Sequence, residues 1–345
     1  MTIGTPPRAT SGRIHDVARH AGVSVGTVSN YFNHPERVSP SATARVEAAI
    51  RELGYVRNDA ARQLRLGAST SLGLIMFDVG NPFFTDMARA AEDATAAHGL
   101  TMILGNSDQT EAREASYIDL FEKQRVRGVL VSPIGDVTAR LLELRRHGIE
   151  SVLVDRASDI IDSVSVDDVA GGYLAVKHLL DGGRRRVLYV AGAVAVQQSI
   201  DRLEGARRAI AEVPGSSIEV VELPVASVLA GRELGRAIQQ RPSESRPDAV
   251  FAVNDVLAIG VLQAFIGRGE GLAVPKDVAI VGYDDIDFAA SAIVPLTSVR
   301  QPSRLLGERA VELLIERLEN PDLAVRNVVF QPELIVRDSS RYSRA

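Results

Sequence analysis

The sequence predicts a small all-α domain followed by a larger α/β body of two lobes, each wound around a parallel sheet. Three observations predict it. Residues 14–54 hold short apolar helical periods punctuated by Ser, Pro and Gly; from Ser71 onward, apolar strand-like runs alternate with helical stretches, twice over; and charge is divided unevenly between the two parts. Residues 1–67 carry nine Arg against five acidic residues, a net of +4, whereas the other 30 basic and 39 acidic residues leave the remainder at −9. A basic head on an acidic body is the electrostatic footprint of a nucleic-acid module joined to a part that is not one.

Length and composition agree with this division. A chain of 345 residues needs two or more cores, and 46% apolar with 24% charged residues is ordinary globular composition. No apolar stretch approaches the ~18 residues of a membrane span, and residues 1–12 hold no apolar run of the signal-peptide kind. A cytoplasmic location with no membrane partner is therefore expected. Without cysteine, disulfides, thiolate metal sites and cysteine nucleophiles are excluded.

In the head, Ile14, Val17, Ala18 and Ala21 fall on one helical face, and Gly22 ends that helix in a turn that favours positive φ. Ser24 then offers an N-cap oxygen to a second helix through Phe32, closed by Asn33, His34 and Pro35. Ala18 is small where the two helices cross, and Val28 plugs the gap between them. This spacing is the helix-turn-helix signature, shared on its own by any helical hairpin with a glycine turn. A third helix has Ser39 as cap, Pro40 at its first position, an apolar face of Val46, Ala49, Ile50 and Leu53, and Gly54 as stop. Residues 60–65 form a further helix-capable piece, too short to be stable alone.

In the body, apolar runs at 72–77, 101–104, 128–131 and 151–154 are followed by a second set at 187–191, 218–221, 249–253 and 278–282. Fully apolar strands separated by helices indicate parallel sheets covered on both faces. Ligands in such folds collect beyond the carboxyl ends of the strands. There the residues are polar: Asp78 and Asn81 ahead of Phe83 and Phe84, Ser132, Asp155 with Arg156, Asn254 with Asp255, and Asp284 with Asp285. Singly each could be a helix N-cap; together, carboxylates and amides converging with an Arg and aromatic faces suit a polyhydroxylated ligand.

The runs IHDVARHAGVSVGTVSN at 14–30, ELGYVRN at 52–58 and ARQL at 61–64 closely resemble the lactose-repressor (LacI/GalR) family of bacterial transcriptional regulators. The body, about 70–338, resembles the type I periplasmic-binding-protein-like half of the same family through NPFF at 81–84, VDR at 154–156, DRLEG at 201–205, ND at 254–255, VGYDD at 281–285 and VRQP at 299–302. The resemblance implies a helix-turn-helix domain over 13–57 and a hinge helix and linker over 58–69. It implies a first lobe of about 70–166 and 296–323 and a second of about 167–295 and 324–338.

On the DNA side it implies that Ser24, Val25, Gly26, Thr27, Ser29, Asn30, Asn58, Arg62 and Leu64 meet a pseudo-palindromic operator. Val25, Gly26 and Asn30 would read bases, Thr27 and Ser29 would sit near phosphates, and Leu64 would be an apolar minor-groove wedge. Since Val25 and Gly26 offer no side-chain donors, direct readout falls on Asn30, and specificity leans on the hinge and on DNA shape. On the effector side it implies that Asn81, Phe83, Phe84, Ser132, Asp155, Arg156, Arg202, Asn254, Asp284 and Gln301 line the cleft, beside Asp78. Where ribose-binding members carry a ring shortly before the glycine matching Gly231, this chain has Ala226, Ser227 and Val228. The expected unit is a homodimer holding a sugar or sugar derivative, with no cofactor and no metal; a purine or phosphorylated metabolite is the alternative effector. An enzyme is disfavoured, because no GxxxxGK[ST], strand-linked GxGxxG, strand-to-helix GxSxG elbow or HExxH is present, and the six histidines never pair with metal-ligand spacing.

Overall fold

A computed structural model describes residues 13–55, 69–192, 196–266 and 271–341. The chain divides into two compact units, 1–68 and 69–345.

In the first unit, α1 (Ile14–Ala21), α2 (Val25–Asn33) and α3 (Pro40–Leu53) pack around Val17, Ala18, Ala21, Val28, Val46 and Ala49. The punctuation acts as the sequence implies: Gly22 and Gly54 take left-handed conformations at φ 62° and 55°, and the hydroxyls of Ser24 and Ser39 accept from the backbone N–H groups of Thr27 and Ala42. α2 runs one residue beyond Phe32, and a 3-10 turn at Pro35–Arg37 leads out of it.

Among the described residues the second unit holds two six-stranded sheets. The first comprises β1 (Ser71–Met76), β2 (Thr101–Asn106), β3 (Gly128–Val131), β4 (Glu150–Val154), β5 (Asp162–Val166) and β11 (Asn327–Phe330), in the order β11-β5-β4-β3-β1-β2 and parallel throughout. The second comprises β6 (Arg186–Ala191), β7 (Ser217–Glu222), β8 (Ala249–Ala252), β9 (Ala279–Asp284), β10 (Thr297–Arg300) and β12 (Glu333–Ile335), in the order β12-β10-β9-β8-β6-β7, with only β12 antiparallel among these strands. Helices cover both faces of the first sheet. α4 (Pro82–Ala97) and α12 (Ser303–Glu319) seal one with Phe83, Phe84, Met87, Leu306 and Leu314; α5 (Glu111–Lys123) and α6 (Thr138–Arg146) seal the other with Ile118, Phe121, Leu141 and Leu144. The second lobe is built alike from α7 (Asp168–Asp181), α8 (Gln197–Ala211), α9 (Val228–Gln240) and α10 (Asp255–Phe265), followed by the short α11 (Asp287–Ser291).

One expected boundary is corrected. Residues 296–323 do not all belong to the first lobe, nor 324–338 to the second: β10 is a strand of the second sheet and β11 of the first. The chain therefore crosses between lobes near Asp167, at Gln301–Pro302 and at Gln331–Pro332. The sequence hid these crossings because β5 mixes Asp and Ser with Val, β10 reads Thr-Ser-Val-Arg, and β11 is a four-residue strand with only three apolar residues in a row.

Candidate functional sites

In the head, α2 presents Gly26, Ser29 and Asn30 at or near the surface, while Val28 is fully buried. Its N-terminus is tied by a bond between the Ser24 and Thr27 hydroxyls at 2.9 Å. Ser29 is held from the end of the same helix: Asn33 Nδ2 donates to its carbonyl at 2.9 Å, one helical turn away. Val25 is only half-exposed, packed against the head core, which limits the methyl surface it can offer a base. Asn58, Arg62 and Leu64 lie outside the described residues.

In the body, the ends of β1, β4, β8 and β9 converge with the start of α8 on one cavity. Asp78, Asn81, Phe83, Phe84, Asp155, Arg202, Asn254, Asp284 and Gln301 all line it. Local structure aims them. Asn81 caps α4 through Oδ1, which accepts from Phe83 N at 3.1 Å, and so turns Nδ2 across the cleft to donate to Asp284 Oδ2 at 2.8 Å. Asn254 caps α10 through Oδ1, which accepts from Leu257 N at 2.9 Å. Asp155 and Asp284 both leave their strands in positive-φ backbone, at 60° and 103°, which Asp tolerates better than most residues. That turn separates Asp284, in the cleft, from Asp285, which pairs outside it with Arg300 at 2.8 Å.

Arg202 is 5% exposed. Its Nε donates to Asp168 Oδ1 and its Nη1 to Val253 O, each at 2.7 Å, and its guanidinium lies 3.7 Å over the Tyr283 ring. The close crossing of α7 and α8 makes this reach possible: a Cβ on Gly172 would collide with the Arg202 carbonyl, and one on Gly205 with the Val169 carbonyl. Burial dominates the acidity of the neighbouring carboxylates. It pushes Asp155 up to about 8, reinforced by the charge of Asp168, and Asp284 up to about 6, opposed by Arg202 and by hydrogen bonds from Asn81 and Gln301.

Two expected residues are placed elsewhere. Ser132 is fully buried at the end of β3 and does not line the cavity. Arg156 faces a different hollow, with Nη1 3.4 Å from the Gly135 carbonyl, because the positive φ at Asp155 makes consecutive side chains diverge. The sequence reading missed Phe77, Gln109 and Gln198. Gln109 Nε2 donates to Asp78 Oδ2 at 3.0 Å; it follows β2, whose carboxyl end lies two residues past its apolar run. Gln198 lies one helical turn before Arg202, and that spacing was its signal. Its Nε2 donates to Asp155 O at 2.6 Å and Oδ2 at 3.0 Å, a second bridge between the lobes. Ala226 lines the cavity, so that wall is small and apolar.

Asp155 Oδ1, Gln198 Oε1 and Gln301 Oε1 are buried without a hydrogen-bond partner among the described residues. The site thus offers acceptors for ligand donors, one guanidinium, and the rings of Phe77, Phe83 and Phe84. Such a set binds and orients a polar ring.

Residues 13–58 match the family model described as bacterial regulatory proteins, lacI family, and residues 176–340 match the periplasmic binding protein-like domain. The chain is 34% identical over 329 residues to the ribose operon repressor of Escherichia coli K12, and 31% identical over 330 residues to the HTH-type transcriptional repressor PurR of Photobacterium profundum; each match covers 94% of this chain and 98% of the relative. Among solved structures, the lac repressor dimer bound to operator and an anti-inducer is similar with a TM-score of 0.78 at 25% identity, covering 96% of this chain and 99% of that one. A LacI family regulator from Enterococcus faecium with bound ribose is similar with a TM-score of 0.70 at 25% identity, covering 78% and 98%.

Proposed function

The chain belongs to the lacI family of bacterial regulatory proteins, and from that membership we propose that it is a repressor whose interlobe cleft binds a sugar or sugar derivative. It is a sequence-specific DNA-binding regulator with a helix-turn-helix head and a two-lobed effector body. It acts from the cytoplasm, where its DNA is, as a binder rather than an enzyme. The observation that carries the effector assignment is the convergence of Asp155, Asp284 and Arg202 with Phe83 and Phe84 on one cavity. A ligand hydroxyl can donate to either carboxylate and accept from the guanidinium while the ring stacks on Phe.

The lobes touch directly through Asn81 to Asp284 and Gln198 to Asp155. A ligand that inserts there exchanges lobe-to-lobe bonds for its own, and it shifts the lobe arrangement by its differential affinity for the two states. By family resemblance the readout is the hinge. A Leu64→Ala variant is expected to lose about tenfold or more in operator affinity with effector affinity unchanged, measured by fluorescence anisotropy and calorimetry. Unchanged operator affinity removes the wedge.

The homodimer is supported by an apolar groove in which Val256, Ile259, Leu262 and Ile266 are flanked by Phe288 and Ile293, the last two 61% and 80% exposed. An Ile293→Asp variant should sediment as a monomer at concentrations where the parent is a dimer, and bind a two-half-site operator more weakly. A variant that stays dimeric moves the interface elsewhere.

The functional test is titration of pseudo-palindromic duplexes from around its own gene, at low salt, with and without sugars, sugar phosphates and purines. Specific binding that a sugar modulates is expected; no specific binding under any condition overturns the regulator. The relatives named PurR favour a second reading, a purine effector on the same rings, which modulation by purines alone would select. Turnover of any ligand would restore the enzyme.

A further inference from the structure

A second hollow lies behind one wall of the effector cavity. It measures about 650 Å³ including its mouth, and among the described residues Asp155 and Gln198 alone line both spaces. That shared wall is the contact already described, in which Gln198 Nε2 donates to both the carbonyl and the carboxylate of Asp155. Both side chains are over nine-tenths buried, and each keeps one oxygen, Asp155 Oδ1 and Gln198 Oε1, without a partner among the described residues.

The second hollow differs in chemistry from the first. Among the described residues no aromatic ring lines it; Arg156, Asp168, Gln197 and Asp201 do, together with Ser165, whose buried Oγ has no partner among those residues. A buried hydroxyl and two buried carbonyl-type oxygens lacking partners around a roomy polar space call for donors and acceptors from a ligand.

We propose that Gln198 is a partition that sets ligand length: bonded to Asp155, it confines the effector to one sugar ring in the first cavity, and the second hollow is the subsite that a second polyhydroxylated ring takes when the partition is removed. The inference rests on the cleft being the effector site. Displacing Gln198 without truncating it breaks two hydrogen bonds to buried Asp155, one to its carbonyl and one to its carboxyl group, a heavier penalty than one added ring hydroxyl recovers. Truncation removes the wall and frees the Asp155 oxygens for the ligand, while Ser165 and Asp201 line the space beyond.

Calorimetry on the full chain tests this with D-ribose, D-xylose, D-glucose and D-galactose as single rings and cellobiose, maltose and lactose as double ones. The parent should prefer a monosaccharide over every disaccharide by about tenfold or more, and Gln198→Ala should shift that ratio by about tenfold toward a disaccharide, with Gln198→Asn between them. A mere clip between lobes would weaken all ligands equally and leave the ratio alone. An unchanged ratio in a folded Gln198→Ala protein, or in Gln198→Ser should the alanine variant not fold, overturns the partition. So does equal binding of single and double rings by the parent. A parent that binds neither class overturns the sugar effector itself, and the partition with it, so the two failures are told apart.

Discussion

Arg202→Met is expected to lower the melting temperature of the body by roughly 10 °C and to remove measurable effector binding. Methionine keeps the apolar stem and loses the guanidinium, so Asp168, itself buried, faces Val253 O and the Tyr283 ring without its countercharge. Breaking a buried pair from one side costs about 3–5 kcal/mol, and a unit of this size loses about 2–4 °C per kcal/mol. Adding Asp168→Asn to Arg202→Met removes the stranded charge. The double variant should regain part of the melting temperature and none of the affinity, since the guanidinium facing the cavity is still absent. Scanning calorimetry and isothermal titration read the two effects separately. A single variant that melts within about 2 °C of the parent would show that the pair is not holding the second lobe together.

Much of this architecture was legible in the sequence, for identifiable reasons. Turn and cap chemistry is local, so Gly22, Ser24, Ser39 and Gly54 announced the head, and the central strands are apolar on both faces, so they stood out as runs. What escaped depends on partners far along the chain. β5 is buried at every position yet reads Asp-Ser-Val-Ser-Val, because Asp162 is satisfied by Arg317 and Arg326 more than 150 residues away. Asp168 escaped in the same manner: it reads as a helix-start acid and becomes the counterion of Arg202 only once Gly172 and Gly205 let two helices touch. The cleft was legible as a set because strand ends are a topological rule. That Arg156 turns away from the cleft while Asp155 enters it was not, since positive φ at Asp155 decides it.

The same two aspartates give the body an unusual dependence on pH. An Asp155 whose acidity is set near 8 when folded and near the ordinary 3.8 when unfolded binds more protons in the folded state across that window. Stability then falls as pH rises from about 4 to 8, because the folded state must give up a proton it holds more tightly. Asp284 adds the same sign up to about 6, so the interval from 6 to 8 isolates Asp155 from it. Asp155→Asn keeps the shape, and its side-chain oxygen can still accept from Gln198. Between pH 6 and 8 the variant should lack about one proton's worth of slope, about 1.4 kcal/mol per pH unit, and be the more stable protein at pH 8.5. Denaturant melts at fixed pH values measure this. At pH 7 its effector affinity should fall about 10- to 100-fold, since the amide turns a fixed N–H toward the cavity where the carboxyl group can offer an oxygen to a ligand donor. Operator binding in the absence of effector should match the parent, because Asp155 lies in the body and the DNA-reading helix in the separate head. A variant with the parent's pH slope would mean that Asp155 is ionised in the folded state at neutral pH, and one with the parent's effector affinity would take Asp155 out of the site.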